Sequence, residues 1–241
     1  MVSACHDEVV GAPPLPRPVL LEQIWADVTF LHWPVDPAGV ADLFPPGTRP
    51  DVFDGRTYVG LLPFVVRHSR LGTTAPLPYF GSFAETNVRL YSVDDAGRHG
   101  VLFRSLETER LAVVPLTRVG LGVPYTWAEM SVTRTGGAVS YASVRRWPGR
   151  GLRNQMTVDA GAPVEPTPLE VWLTARWGAH TRKAGRTWWV PIAHPMWALQ
   201  EAEITELRDE LVAAASVECA GPPLRALYSP GVLVRFGRPA R

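Results

Sequence analysis

The sequence predicts a mainly β fold of the α+β class, and three observations favour it. The 241 residues include 21 glycines and 24 prolines spread along the whole chain, which indicates many turns. Short segments rich in β-branched and aromatic residues recur between these turns. Few segments carry a helix start signal. We therefore expect an antiparallel sheet that is strongly bent or barrel-like, with a small number of helices.

The predicted strands are separated by recognisable turns. Asp54-Gly55 is a hairpin signal because both residues tolerate the positive φ of a tight turn. Glycines at positions 136–137 and 185 mark two further hairpins, and Pro63 inside a strand marks a bulge or an edge. In chain order the strand segments are 25–33, 58–66, 83–91, 99–104, 125–133, 139–145, the two arms of a hairpin over 180–192, and 232–236.

Helices are predicted from caps and apolar spacing. Thr167 begins the clearest one, because its hydroxyl can cap the first turn, Pro168 suits the first helical position and Glu170 completes a capping box. Asp36 followed by Pro37 is a similar but shorter start. The helical segments are 37–44, 109–119, a helix from 168 onward, and 205–215.

We expect one domain over residues 20–241, preceded by a proline-rich N-terminal arm over residues 1–19. The acidic N-terminus lacks the apolar core of a signal peptide, and the longest apolar stretch, about 59–66, is too short to span a bilayer. Cys5 and Cys219 are the only cysteines and lie near opposite ends of the chain. We therefore predict a cytoplasmic protein without a membrane partner.

The net charge of +1 indicates no general attraction to nucleic acid. One local feature leaves an alternative open, because basic residues around Trp147 could bind a single strand. A solvated loop is the plainer interpretation of this basic loop, and we expect no nucleic-acid partner. Its arginines are Arg145, Arg146, Arg150 and Arg153.

Several common functional motifs are absent from the sequence. It contains no Gly-rich phosphate loop, no GxGxxG after a predicted strand, no GxSxG and no HExxH. The six histidines are dispersed, and no Cys-x-x-Cys occurs. We therefore expect neither a cofactor nor a metal ion.

The segment 85–91 carries the strongest functional signal. Glu85, Asn87, Arg89 and Tyr91 alternate with other residues, so in a strand they share one face. If that face meets water, the segment is an ordinary half-buried strand. If it lines the interior, Arg89 can hold a carboxylate in bidentate fashion, while Asn87 and Tyr91 complete the ligand shell. Glu85 would then be an acid, a base or the counter-ion of Arg89.

Several motifs together resemble the YqjF-like family of uncharacterised conserved bacterial proteins, which is grouped by fold with acetoacetate decarboxylase. The resemblance covers about residues 25–236. It implies a cone-shaped antiparallel β-barrel with a few flanking helices and a central pocket. The motifs are Trp25 through Pro37, Phe53-Asp54-Gly55, Glu85 through Arg89, Pro124-Tyr125, His194 through Trp197 and Tyr228 through Val232.

The decarboxylase relatives work through a Schiff-base lysine, and the resemblance places this lysine within residues 111–122. This segment contains Thr117 and Arg118 but no lysine. Arginine cannot form an imine because it stays protonated in proteins. Lys183 is the only lysine of the chain and lies at a predicted hairpin tip. We therefore expect no imine chemistry, and Arg118 is included among the candidate ligand-binding residues.

Two functional hypotheses follow. In the first, the protein is a small-molecule-binding module for a carboxylate, held by Arg89 with Asn87, Tyr91 and Arg118. In the second, it is a lyase, hydratase or isomerase acting on a keto or hydroxy acid. Glu85 or His194 would then carry the proton, since a histidine titrates near neutrality. The sequence leaves open whether the chain is catalytic and whether it forms a homo-oligomer.

Overall fold

The computed structural model describes residues 11–219 and 221–241, and they form a mainly β fold. Residues 1–10, which belong to the predicted arm and include Cys5, lie outside the described residues. The strands are β1 (Leu21–Val35), β2 (Thr48–Pro50), β3 (Thr57–Leu71), β4 (Phe83–Asp94), β5 (His99–Thr108), β6 (Tyr125–Thr135), β7 (Ala138–Trp147), β8 (Arg153–Pro163), β9 (Gly178–Lys183), β10 (Arg186–Ala193), β11 (Gln200–Asp209) and β12 (Ala226–Phe236). The α-helices are α1 (Pro37–Val40), α2 (Val113–Leu121), α3 (Pro168–Thr174) and α4 (Leu211–Ala214).

All these strands belong to one sheet that closes on itself. The strand order is β10-β9-β5-β6-β7-β8-β11-β12-β1-β3-β4-β2, and additional pairings join β10 to β12 and β5 to β4. These two extra pairings produce two closed circuits of strands, and β1, β3, β4, β5 and β12 belong to both circuits. The pairs β5–β6 and β5–β9 are parallel, so the sheet is mixed and not purely antiparallel as the sequence predicted.

Each circuit surrounds its own hydrophobic core, and the shared strands contribute to both. In β3, Leu61 packs in the first core and Leu62 in the second, because consecutive side chains point to opposite faces. In β4, Val88 and Leu90 belong to the first core, whereas Tyr91 belongs to the second. A strand in this position is covered on both faces, as the complete burial of β4 shows.

Local signals explain several elements. Thr167 and Glu170 form the predicted capping box at the start of α3. Pro63 pairs with Thr86 of β4 and lies opposite an irregular stretch of β1, between the pairs Ala26–Val65 and Leu31–Leu61.

The predicted helix over residues 205–215 is wrong. Residues 205–209 belong to β11, which pairs along its length with β8, and only Leu211–Ala214 is helical. In β11 the outward side chains of Glu203 and Thr205 flank the partly buried Ile204, which is the alternation of a strand. Asp209 accepts hydrogen bonds from the backbone N–H groups of Leu211 and Val212, so it ends the strand and caps the short helix.

Candidate functional site

The polar face of β4 lies inside the protein. Glu85, Asn87, Arg89 and Tyr91 are 4%, 0%, 6% and 0% exposed, respectively. They lie on the side of the strand that faces the second core, which includes Tyr91 itself. The alternative in which this face meets water is therefore excluded, and the polar groups have to find partners within the protein or in a bound molecule.

Arg89 is a buried cation without a counter-ion among the residues that the structure describes. Its Nη2 donates to Tyr91 Oη at 3.2 Å and to the Leu173 carbonyl at 3.1 Å. The Tyr91 hydroxyl donates to the same carbonyl, so His32 Nε2, 2.7 Å from Tyr91 Oη, is the donor of that contact. Arg89 Nε has no hydrogen-bond partner, and no ion pair among the described residues includes Arg89.

A second buried guanidinium, which sequence reasoning missed, lies beside the first. Arg176 Cζ is 3.8 Å from the centroid of the Trp172 ring and 4.9 Å from that of Tyr91. Its Nη1 forms an ion pair with Asp51. Burial alone would raise the pKa of Asp51, but the hydrogen bond from His99 and the charge of Arg176 outweigh burial and lower it. Arg176 is therefore compensated by an ionised carboxylate, unlike Arg89.

The two histidines nearest these cations are neutral at pH 7. Burial, together with the charge of Arg89, lowers the pKa of His194 to about 4. Burial also lowers the pKa of His32 well below its ordinary value, with contributions from Arg89 and Arg176. His194 stacks on Trp177, with ring centroids 4.6 Å apart. With both histidines neutral, the group formed by the two guanidinium groups and Asp51 carries one net positive charge.

Glu85 is hydrogen-bonded to Tyr125 and not paired with Arg89, the partner considered in the sequence analysis. Its Oε2 accepts a hydrogen bond of 2.9 Å from the Tyr125 hydroxyl, which comes from β6. Burial raises the pKa of Glu85 to about 8, although the Tyr125 hydrogen bond lowers it in part. Glu85 and Arg89 lie four residues apart on one strand, about 13 Å along it, so they do not neutralise each other.

Asn87 lies between these two residues and is unsatisfied. Its side chain is completely buried, and neither Nδ2 nor Oδ1 has a hydrogen-bond partner among the described residues. Buried amides in folded proteins are nearly always hydrogen-bonded, and leaving one unpaired costs about 1–3 kcal/mol. The polar face therefore has an acidic end at Glu85, a cationic end at Arg89 and an unpartnered amide between them.

Arg118 and Lys183 are not part of this group. Arg118 is exposed on α2, where Nη1 donates to the Tyr125 carbonyl at 2.7 Å and the guanidinium lies over Trp147. The structure thus does not bring Arg118 to the other candidate residues, because α2 lies on the outside of the sheet. Lys183 is also exposed, and its Nζ donates to the Gly120 carbonyl at 2.6 Å.

Three of the cavities between described residues, of about 1200, 200 and 420 Å³, are not lined by Glu85, Asn87 or Arg89. The enclosed hollow on which the sequence interpretation depends is therefore not one of these three. The largest of the three lies on the other side of Arg176, which is one of its lining residues.

Two arginines of the basic loop are engaged in ion pairs. In the basic loop, Arg145 forms an ion pair with the buried Glu107, and Arg146 forms one with Glu129. The residues described contain no group of three or more metal-ligating side chains. Among the same residues, no helix combines the length and the apolarity needed to cross a membrane.

Sequence comparison connects the chain to proteins of unassigned function. Residues 22–233 match the DUF2071 family, described as an uncharacterized conserved protein. The uncharacterized protein YqjF of Bacillus subtilis (strain 168) is 31% identical over 186 residues, which cover 76% of each chain.

Structure comparison connects the fold to known enzymes at low sequence identity. The enduracididine biosynthesis enzyme MppR with bound HEPES has a TM-score of 0.66 at 13% identity, covering 100% of this chain and 98% of that one. MppR complexed with pyruvate has a TM-score of 0.60 at 12% identity, covering 98% and 92%. An acetoacetate decarboxylase-like enzyme from Sphingomonas wittichii RW1 has a TM-score of 0.61 at 14% identity, covering 93% of each chain. The chain therefore belongs to the YqjF-like DUF2071 family, and its fold is that of the acetoacetate decarboxylase-like proteins.

Proposed function

We propose that this protein binds a small carboxylate, of the keto-acid or hydroxy-acid class, on the buried polar face of β4. The observation that carries the proposal is the unpaired Arg89, a guanidinium that is 6% exposed and has no carboxylate partner among the described residues. A buried cation of this kind is costly unless an anion compensates it. A carboxylate is the natural complement because it matches the planar fork of a guanidinium.

Asn87 supports the same assignment. Both atoms of its amide are free, and it lies next to Arg89 on the same face, about 7 Å along the strand. A ligand carbonyl or hydroxyl could pair with this amide while its carboxylate meets Arg89 Nε, which is also unpartnered. A structural neighbour, MppR, is complexed with pyruvate, which is a ligand of this class.

A catalytic role is the second candidate, and the pKa of Glu85 favours it. A carboxyl group with a pKa of about 8 is protonated at pH 7 and can both donate and accept a proton near neutrality. The reaction would be a lyase, hydratase or isomerase step on a keto or hydroxy acid. His194 is the alternative proton carrier, but its pKa of about 4 makes it a weak base at pH 7. An imine route has no support, because the single lysine is exposed and bonded to Gly120.

The binding test uses pyruvate, lactate and acetoacetate with the full chain, followed by NMR. At least one acid should shift the protein signals at millimolar concentration, and Arg89→Met should weaken its binding about tenfold or more, as expected for loss of a charge-assisted pair. Arg118→Met is the matched control, since it removes an exposed arginine outside the polar face. Asn87→Leu is a second variant that should weaken binding without changing the charge.

The outcomes separate the candidates. Unchanged binding by Arg89→Met, or no binding of any of the three acids, would show that the proposal is wrong. Consumption of a bound acid by the parent protein, lost in Glu85→Gln, would establish the enzyme. Binding without consumption would establish the binding module.

A further inference from the structure

The largest of the three cavities is a cleft with aromatic and proline walls, separate from the polar face of β4. It encloses about 1200 Å³, above the usual 300–1000 Å³ of small-molecule sites. Seven of its lining residues are prolines, some of them in the segment 13–17 before β1. Proline and indole side chains have few torsions to restrict, so such walls lose little entropy when a ligand binds. The aromatic wall residues are Phe53, Trp172, Trp177 and Trp189.

The position of the Trp189 ring is built into the sheet. A Cβ atom at Gly178 would lie 2.2 Å from Trp189 Cζ2, and one at Gly100 would lie 2.6 Å from Cζ3. Only glycine at these two positions lets the indole lie flat against the backbone. The backbone of Trp189 also exchanges hydrogen bonds of 2.8 and 2.9 Å with Ala240, which lines the cleft. The wall is therefore formed in advance of any ligand.

The charges around the cleft are strongly unequal, since four arginines but only one carboxylate, that of Asp51, line it. Asp51 is occupied by Arg176, and Arg98 is paired with Asp94. The remaining two arginines are exposed and take part in no ion pair between residues of the described segments. These two are Arg17 and Arg238, which lie in the chain segments before β1 and after β12.

We propose that this cleft binds an organic anion with a flat aromatic body, such as an aromatic carboxylate or sulfonate. The ring would pack between the tryptophans, and Arg17 and Arg238 would contact the anionic group. Trp172 and Arg176 separate this site from the interior, because Tyr91 lies directly behind them at 5.0 and 4.9 Å. The site is thus distinct from the polar face on which the proposed function depends.

The test compares two dyes that share one aromatic body, 8-anilinonaphthalene-1-sulfonate and the uncharged N-phenyl-1-naphthylamine. The sulfonate should bind with enhanced fluorescence and quench tryptophan emission. Arg17→Ala and Arg238→Ala should each weaken sulfonate binding several-fold and leave binding of the neutral dye unchanged. Arg150→Ala, at another exposed arginine, is the matched control.

Energy transfer from tryptophan tests whether the dye binds in the cleft, and competition with pyruvate tests whether the cleft is independent of the polar face of β4. Trp189→Phe should reduce the quenching of tryptophan emission by the bound sulfonate. Pyruvate should not displace the dye, and Arg89→Met should bind it as the parent does, so failure of the polar-face site would leave this result intact. Equal affinity for both dyes, or sulfonate binding that neither Arg17→Ala nor Arg238→Ala weakens, would overturn the proposal.

Discussion

Glu85→Gln is expected to stabilise the folded protein at alkaline pH and to leave its stability unchanged near pH 4.5. In the unfolded chain Glu85 titrates at its ordinary value of 4.5, whereas in the folded protein burial raises its pKa to about 8. Between these two values the folded state binds one proton more than the unfolded state. The free energy of unfolding therefore falls as the pH rises through this window.

The magnitude follows from the two pKa values. Each pH unit between the two pKa values lowers the free energy of unfolding by about 1.4 kcal/mol. The decrease therefore reaches roughly 3 kcal/mol at pH 7 and roughly 5 kcal/mol at pH 8. Solvent does not screen this effect appreciably, because Glu85 is only 4% exposed. Glutamine has the same shape, stays neutral and can still accept the hydrogen bond from Tyr125. The Glu85→Gln variant should therefore avoid the cost of burying an ionised carboxylate and keep the hydrogen bond to Tyr125.

The assay is urea unfolding of the parent and the variant from about pH 5 to about pH 9, plotted as the difference between their free energies of unfolding. Taking the difference cancels the other titrating groups. Glu107→Gln is the control, because this buried carboxylate is paired with Arg145 and its loss should destabilise the protein. A Glu85→Gln difference that does not change with pH, or a variant less stable than the parent at pH 8, would refute the reasoning.

Two further predictions concern the cationic end of the site. Asp51→Asn should lower the free energy of unfolding by about 3–5 kcal/mol, since it leaves Arg176 buried and unpaired. A decrease of less than about 1 kcal/mol in urea unfolding would contradict this prediction. The neutral His194 should lower the free energy of unfolding by about 3 kcal/mol as the pH falls from 6.5 to about 4. In this range the imidazole binds a proton in the unfolded chain but not in the folded protein. His194→Gln should abolish that part of the acid sensitivity, and an NMR titration of the His194 ring near pH 6.5 would contradict it.

The alternation of residues 85–91 was enough to predict which side chains share a face of the strand, but not whether that face contacts water or the protein interior. A period of two shows which residues share a side of the strand. The period is the same whether one face meets water or both faces are buried. β4 is buried on both sides because it belongs to both closed circuits of the sheet. These circuits depend on pairings such as β1–β12 and β5–β9 between segments far apart in the sequence, which no local pattern encodes.

The partners of the candidate residues were unpredictable for the same reason. Tyr125 is 40 residues from Glu85, and Arg176 is 125 residues from Asp51. Each of these contacts joins separate elements, and neither follows a helical or strand spacing. The only signal for Arg176 was its position just after the helix that begins at Thr167, beside two tryptophans. The helix predicted over residues 205–215 failed because pairing with β8 outweighs local helix propensity.

The contrast between the two guanidinium groups beside Tyr91 carries the functional argument furthest. Arg176 has a carboxylate partner in Asp51, although its Nη2 has no hydrogen-bond partner among the described residues. Within the described part of the chain, Arg89 has only neutral partners, the Tyr91 hydroxyl and the Leu173 carbonyl, and the nearby histidines are uncharged at pH 7. Glu85 cannot supply the missing charge, since it is about 13 Å away along the strand and protonated at that pH. Under the proposed function the missing negative charge comes from the carboxylate of a ligand.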